Sequence, residues 1–231
     1  MPPRALEPAG VALVDKPSGP SSFAVVAAIR SMTGARTGHA GTLDPFASGL
    51  LLLLSGRATK LTPWLVGLDK RYRTDIDLTR RTSTGDPEGE VVASSAPPDE
   101  GELTRRLEGL RGEVELPIPA ASAVKIGGER AYRLARRGIE VEMPLRRSTV
   151  RSLEVIAYTG GQVTLDLLVS SGTYVRAIAE ALGGHCVTLR RTEVGPFRVA
   201  DAVPPEEFTA DRLLPAEVVI ERLQASGVGR P

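Results

Sequence analysis

The chain has 231 residues, of which 42% are hydrophobic and 25% are charged, and its formal net charge is +1. This composition excludes a disordered chain and allows one large domain or two small ones. No apolar stretch is long enough to cross a membrane, and we expect no secretory signal. The single cysteine, Cys186, excludes an internal disulfide, and two histidines without a Cys-x-x-Cys pair argue against a structural zinc site. We therefore predict a cytoplasmic protein that needs no metal.

The first predicted elements are a strand and a helix. A loose tail over residues 1–9 leads into a short buried strand at 10–17. Ser21 or Ser22 can cap the helix that follows, and Gly34 ends it. Apolar residues at helical spacing between these caps predict one buried face.

One carboxylate stands out between this helix and the next strand. Residues 38–49 read GHAGTLDPFASG and hold Asp44 among small residues. Glycines allow a tight turn and the close approach of another molecule, and Pro45 biases Asp44 toward an extended backbone. The five leucines at 50–54 are typical of a short, fully buried strand. An acid held at the rim of such a strand is a candidate catalytic group, although Asp before Pro is also a common turn signal.

The string Gly-His-x-Gly-Thr-Leu-Asp-Pro-x-Ala-x-Gly-x-Leu closely resembles the catalytic motif of the TruB family of tRNA pseudouridine synthases. The resemblance implies that Asp44 is the catalytic aspartate and that His39 binds substrate. The Lys-Pro-x-Gly segment that begins at Lys16 is similar to a family segment that lies beside the active site and supports it, and the resemblance places Lys16 with the substrate-binding residues. Taken alone, Lys16 is as well explained as a solvated surface lysine.

The next predicted helix opens at residues 55–61, and the strand after it carries the second candidate residue. Residues 71–78 alternate between inward and outward side chains, which predicts a half-buried strand with Tyr72 on its inner face. Core packing alone would explain Tyr72. The family's Lys-x-Tyr segment lies here, so the resemblance implies that Tyr72 contacts the target base. A turn at 82–89 follows, in which Ser83 replaces the acidic residue usual in the family, and then a helix with leucines at helical spacing.

The segment at about 117–147 is similar to the insertion that folds over the T-loop of tRNA in the family. It holds a Ser-Ala-x-Lys string and a short helix that is apolar on one side and strongly basic on the other. The resemblance implies that four of its cations grip RNA: Lys125, Arg133, Arg136 and Arg137. A solvated amphipathic helix would show the same pattern.

After strands at about 148–157 and 163–169, the sequence predicts a helix that begins with Thr173 as its N-cap and stops at Gly183. Arg176 falls in the first turn, where the helix dipole disfavours a cation, so we expect an anion opposite it. A solvated arginine is the alternative. The string Gly-Thr-Tyr-x-Arg matches a family motif, and the resemblance implies that this arginine lies against the catalytic aspartate.

The Leu-Arg-Arg-Thr string that begins at Leu189 predicts a strand that closes the sheet, and in the family this leucine lines the uracil pocket. The resemblance covers roughly residues 10–200. It implies an α+β catalytic domain with the pseudouridine synthase fold, a mixed, largely antiparallel central sheet flanked by helices and loops. Residues 201–231 predict a short helix and a tail, and we expect no complete RNA-binding PUA domain there.

The resemblance implies that the protein isomerises uridine to pseudouridine at position 55 of the tRNA T-loop. The target base must be flipped into a pocket, and no cofactor is needed because nothing is oxidised and no group is imported. We expect a monomer that binds the T-arm of tRNA, without a membrane or an obligate protein partner.

Two other functions remain open. One is a guide-dependent pseudouridine synthase inside a ribonucleoprotein, and the other is a non-catalytic RNA-folding module on the same fold. The near absence of an accessory domain argues against the first. The joint presence of Asp44, Tyr72 and Arg176 argues against the second.

Overall fold

The structure is a computed structural model that describes residues 8–137, 139 and 141–227, so most of the predicted N-terminal tail and the last residues of the predicted C-terminal tail lie outside the described part. Contacts divide the chain into two compact units. Unit 1 comprises residues 1–72 and 190–231, and unit 2 comprises residues 73–189. No helix within the described residues is long and apolar enough to cross a membrane.

The strands, in chain order, are β1 (Gly10–Lys16), β2 (Thr37–His39), β3 (Ser48–Ser55), β4 (Lys70–Asp77), β5 (Arg80–Thr82), β6 (Val91–Ser94), β7 (Gly112–Pro117), β8 (Lys125–Ile126), β9 (Glu129–Arg130), β10 (Leu145–Thr159), β11 (Gln162–Val169), β12 (His185–Val194) and β13 (Phe197–Arg198). The α-helices are α1 (Ser22–Thr33), α2 (Thr62–Gly67), α3 (Glu100–Glu108), α4 (Ala131–Arg136), α5 (Val175–Ala181) and α6 (Ala216–Ala225). Short 3-10 helices lie at Gly56–Leu61, Val199–Asp201, Pro205–Glu207 and Ala210–Arg212. β4 and β12 each have residues in both units.

Unit 1 is built on β3. The five leucines at 50–54 are fully buried, which confirms the buried strand that the sequence predicts. β3 pairs antiparallel with β1 and with β2, and parallel with β12. One face of β3 packs into a hydrophobic cluster that includes Leu65 of α2, Phe197 of β13 and Leu223 of α6. This packing fixes the start of β3, where the segment with Asp44 ends.

Helix α1 has the caps that the sequence predicts. The Ser21 hydroxyl accepts a hydrogen bond from the Ala24 N–H at 3.1 Å. Gly34 ends the helix with a φ of 64°, in the left-handed region that favours glycine. The buried face carries Val25, Val26 and Ile29. The predicted helix after β3 is also present, but it begins as the 3-10 helix Gly56–Leu61 and continues as α2.

Unit 2 contains most of the long strands of the central sheet. Its strand order is β12, β4, β11, β10 and β7, and β10 pairs antiparallel with both β11 and β7. Alternate residues of β4 are buried, including Thr74 and Ile76, as the sequence alternation predicts. The fold is α+β with a mixed, largely antiparallel sheet, which confirms the predicted fold class.

The start of α5 differs from the prediction. The N-cap residue is Tyr174, and the Thr173 hydroxyl instead donates to the Ser170 carbonyl at 2.9 Å. The prediction of Thr173 as N-cap is therefore wrong, because this hydroxyl closes the turn between β11 and α5. Gly183, with a φ of 89°, follows the end of the helix as predicted.

Candidate active site

Asp44 lies in the loop between β2 and β3 and is partly exposed. The loop turns back at Asp44, where the Ala47 N–H donates to the Asp44 carbonyl at 3.1 Å. Gly49, at the start of β3, has a φ of 104° and pairs with Arg191 of β12. A Cβ at this position would lie 2.2 Å from the Arg191 carbonyl oxygen, so the pairing requires glycine.

Lys16, at the end of β1, holds the backbone after Asp44. Its side chain is fully buried, and its ammonium donates to the carbonyls of Pro17 at 2.8 Å, Ala47 at 2.7 Å and Pro45 at 3.2 Å. The interpretation of Lys16 as a solvated surface lysine is therefore wrong. These carbonyls take the place of the water molecules that the ammonium loses on burial. Contact of Lys16 with substrate stays a prediction.

Arg191 holds the backbone before Asp44. This side chain on β12 is 1% exposed, and its guanidinium donates to the carbonyls of Leu50 at 2.7 Å, Gly41 at 3.0 Å and Thr42 at 3.4 Å. The planar fork of arginine suits several acceptors in fixed directions. Sequence reasoning missed this role, although Arg191 is the second arginine of the Leu-Arg-Arg-Thr string.

Ser22 adds a third attachment to the Asp44 loop. Its hydroxyl donates to the Leu43 carbonyl and accepts from the Leu43 N–H, both at 2.8 Å. Leu43 directly precedes Asp44, and Ser22 is 2% exposed as the first residue of α1. Three buried side chains from three different elements therefore define the backbone path around the carboxylate.

Two further titratable groups lie near Arg191. Burial lowers the pKa of Lys70 to about 8, and the positive charge of Arg191 adds to the effect. The Lys70 ammonium donates to the carbonyls of Val66, at 2.6 Å, and Leu68. Burial, and then Arg191, also lowers the pKa of His39 on β2, so this imidazole is neutral at neutral pH. Its Nδ1 atom is buried without a hydrogen-bond partner among the described residues.

Tyr72 lies on the inner face of β4 and is 7% exposed, as the alternation predicts. It belongs to unit 1, as do Asp44, Lys16 and His39. Leu189 of β12 is also buried. The contacts of Tyr72 and Leu189 with a target base stay predictions.

Arg176 lies in unit 2, in the first turn of α5, and is 2% exposed. Its guanidinium donates to the carbonyls of Thr84 at 2.7 Å and Ala121 at 3.0 Å. Its Nη1 atom lies 3.3 Å from Oδ2 of the buried Asp86. The interpretation of Arg176 as a solvated arginine is therefore wrong, and Asp86 supplies an anion of the kind that the helix dipole argument predicts. The pairing of Arg176 with Asp44 stays a prediction.

The turn at 82–89 is organised around Asp86. The Asp86 carboxylate accepts from the Thr84 hydroxyl and from the Glu88 N–H, the latter at 3.1 Å. Gly85 has a φ of 70°, and a Cβ there would lie 2.4 Å from Oε1 of Glu180 on α5. Burial raises the pKa of Glu180, and the neighbouring Arg176 opposes this rise. Sequence reasoning found the turn but not this buried ionic cluster.

The predicted basic helix is α4, which follows the β8–β9 hairpin. Leu134 is buried, whereas Arg133 and Arg137 are exposed, so the helix is apolar on one side and basic on the other. Lys125 on β8 is exposed as well. Arg136 ends the helix, and its side chain lies outside the described part. Binding of RNA by this segment stays a prediction.

The arrangement in unit 1 suits carboxylate chemistry on a bound molecule. The partly exposed carboxylate of Asp44 lies on a loop whose backbone is fixed by buried donors. The fold therefore sets the backbone position of Asp44 before a ligand binds. Within the described residues, no group of three or more acidic, histidine or cysteine side chains could hold a metal ion.

The chain is similar to known proteins in family, sequence and structure. The family described as TruB family pseudouridylate synthase (N terminal domain) matches residues 30–175. This range contains Asp44 and Tyr72 and ends one residue before Arg176.

Two sequence relatives illustrate the likeness. tRNA pseudouridine synthase B of Bordetella avium (strain 197N) is 42% identical over 213 residues, which is 87% of this chain and 87% of the relative. The protein of the same name from Mycobacterium sp. (strain KMS) is 43% identical over 210 residues, which is 84% of this chain and 70% of the relative.

Among solved structures, a chain of a Cbf5-Nop10-Gar1 complex superposes with a TM-score of 0.69 at 26% sequence identity. The match covers 92% of this chain and 62% of that chain. The protein therefore spans somewhat less than two thirds of the length of that structural relative.

Proposed function

Because the chain belongs to the TruB family of pseudouridylate synthases, we propose that it isomerises uridine to pseudouridine in tRNA, at position 55 of the T-loop. The relatives that are 42% and 43% identical are named tRNA pseudouridine synthase B. The observation that carries the proposal is the placement of Asp44: the family's catalytic motif forms a loop whose backbone is held by Lys16, Arg191 and Ser22, with the carboxylate partly exposed.

The reaction moves one bond within the nucleotide. The bond between N1 of uracil and C1′ of the sugar breaks, a bond between C5 and C1′ forms, and the C5 proton is lost while N1 gains one. The target base must leave the RNA stack to present these atoms. Asp44 acts in its ionised form, as a nucleophile toward C1′ or C6 or as a base at C2′. We place the flipped uracil against Tyr72 and Leu189.

The remaining roles follow from the family motifs. We propose that Arg176 approaches Asp44 and favours its ionised form, while Asp86 and the carbonyls of Thr84 and Ala121 fix the guanidinium. We propose that Lys125 and the arginines of the α4 segment bind the T-arm, since arginine suits phosphate contacts. Lys16 and His39 contribute to the same site. The protein works as a monomer in the cytoplasm, where its tRNA substrate is found.

The direct test is tritium release. The purified chain alone is mixed with a tRNA transcript that carries tritium at C5 of its uridines, and with a second transcript in which position 55 is cytidine. We expect stoichiometric release of one tritium per tRNA from the first transcript and none from the second. Release that requires an added guide RNA would favour the guide-dependent alternative. RNA binding without any release would favour a non-catalytic RNA-folding module.

A further inference from the structure

The stretch of unit 1 that contains α1 and β2 is rich in cations. Residues 16–68 contain a single carboxylate, that of Asp44. The same stretch carries four exposed cations: Arg30, Arg36, Arg57 and Lys60. The 3-10 helix Pro205–Glu207, which packs against α1, adds the exposed carboxylates of Glu206 and Glu207. The exposed cations of residues 16–68 favour contact with a polyanion.

An open groove of about 670 Å³ lies between α1 and β2 on this surface. Its lining combines apolar side chains, those of Val26 and Ala27, with polar ones, those of Arg30, Ser31, Thr37 and His39. The side chain of Phe23 also lines the groove and is 76% exposed. An exposed phenylalanine in a groove of mixed lining indicates a binding surface for a flat group that also carries polar atoms.

The groove adjoins the Asp44 loop. Phe23 directly follows Ser22, whose hydroxyl bonds both backbone groups of Leu43 at 2.8 Å. His39 belongs to the same motif as Asp44 and lines the groove as well. The groove therefore shares α1 and the motif at residues 38–49 with the Asp44 loop.

We propose that this groove holds an unpaired nucleotide of the RNA substrate, with its base against the Phe23 ring and its phosphate beside Arg30. The inference rests on the proposed function, because it names a second contact with the same RNA. Every base has a flat face that stacks on an aromatic ring, and a guanidinium suits a phosphate. The lack of carboxylates other than Asp44 in residues 16–68 favours RNA over a protein surface of mixed charge.

The test is binding of a T-arm stem-loop RNA to single variants of the whole chain. Phe23→Ala is expected to raise the Kd about five- to a hundredfold, the effect of losing one base–aromatic stack. Phe23→Tyr keeps the ring and should bind like the wild type. Met32→Ala is the matched control, because Met32 is 48% exposed on the same helix and does not line the groove. Arg30→Ala should lower the slope of log Kd against log salt by about 0.7, the loss of one phosphate contact.

The nucleotide itself can be identified with RNAs that lack one base at a time. For one unpaired position, removal of the base should weaken binding to the wild type as much as Phe23→Ala does. Phe23→Ala should then cause no further loss with that RNA. Additive losses at every position would overturn the proposal.

Two further results would overturn it. One is a Phe23→Ala protein that binds the stem-loop as the wild type does. The other is a Phe23→Ala protein with a changed sedimentation coefficient and an unchanged Kd, which would make the groove an interface between copies of the chain. Tritium release by the same wild-type preparation separates this inference from the proposed function. Normal release with no effect of Phe23→Ala refutes only the groove, whereas Phe23-dependent binding without release refutes only the isomerisation.

Discussion

The Asp44 loop of unit 1 and the Arg176 cluster of unit 2 both bury cations, but they stabilise them in different ways. Lys16 and Arg191 donate to backbone carbonyls on either side of Asp44. Arg176 also binds two carbonyls, but it lies 3.3 Å from the carboxylate of Asp86 as well. In the first arrangement, the cations fix the backbone on both sides of an acidic residue. The second fixes the cation itself, inside a turn built around its counterion.

Substitutions should have different effects in the two regions. In unit 1, the loop around the carboxylate is held through its backbone, so we expect a change of Asp44 to leave the path of the loop intact. In unit 2, a change in the carboxylate removes part of what stabilises the buried guanidinium. Activity should therefore respond most strongly in the first region and stability in the second.

The largest effect is expected from Asp44→Asn. This change keeps the shape of the side chain and removes its charge, so isomerisation should fall at least about 10⁴-fold, the loss seen when an essential nucleophile is removed. Binding of tRNA should stay within about threefold of the wild type, because phosphate contacts dominate affinity. Tritium release measures the isomerisation rate, and filter binding with the same preparation measures the affinity for tRNA. Turnover close to that of the wild type would show that another group carries the chemistry.

Asp86→Asn should destabilise the protein by about 3 kcal/mol, because it removes the buried negative charge 3.3 Å from the guanidinium of Arg176. Urea unfolding at pH 7 measures the change. Glu102→Gln is the matched control: its partner Arg106 lies one helical turn away, and both side chains are more than a third exposed. Such a pair contributes about 0.5 kcal/mol or less. Equal losses in the two variants would contradict the difference between buried and exposed pairs.

The burial of Lys70 should make the stability of the protein depend on pH. Its pKa is about 8 in the folded protein and near 10.5 in the unfolded chain, so the unfolded state binds more protons between these values. The cost of burying the charged ammonium is fully present below pH 8 and is relieved as the pH rises toward 10.5. Relative to Lys70→Met, the wild type should gain up to about 3 kcal/mol across this window. Urea unfolding at pH 7 and pH 10 tests this, and parallel curves for the two proteins would disprove it.

The smallest effect per residue is expected on the exposed helix α4. Replacing Arg133, Arg136 and Arg137 together by alanine should reduce the slope of log Kd against log salt for tRNA by about 2, or about 0.7 per lost phosphate contact. Stability should change little, by less than about 0.5 kcal/mol for each of the exposed residues Arg133 and Arg137, because surface substitutions of this kind are nearly neutral. An unchanged salt slope would show that the helix is only a solvated amphipathic face.

Much of this architecture could be predicted because its signals are local. The leucine run predicts β3, and the alternation at 71–78 predicts β4. The candidate caps, Ser21 or Ser22 and Gly34, predict the limits of α1 to within one residue. The attachments of the Asp44 loop could not be predicted in this way. The Arg191 side chain reaches the Gly41 carbonyl across 150 positions of sequence, and nothing near Arg191 indicates that contact.

The wrong prediction of Thr173 as the N-cap of α5 has a local cause. Thr173 has the right residue type and position for an N-cap, but a competing acceptor, the Ser170 carbonyl, lies in the preceding turn. Lys16 is buried although a lysine is normally solvated. Only the folded chain brings three carbonyls to its ammonium. In both cases the usual preference of the residue type, N-capping for Thr173 and exposure for Lys16, is overridden by hydrogen bonds to backbone carbonyls.

We infer that the buried cations Lys16 and Arg191 position Asp44 for its proposed catalytic role through the backbone. The most direct measurement is the single-turnover rate of tritium release by Arg191→Lys, with the Kd for tRNA measured alongside. Lysine keeps the charge but cannot donate in the directions of the guanidinium fork, so the rate should fall at least about tenfold while the Kd stays within about twofold. Arg190→Lys, in the partly exposed pair with Asp15, is the control and should react like the wild type. A folded Arg191→Lys protein that reacts at the wild-type rate would contradict the account.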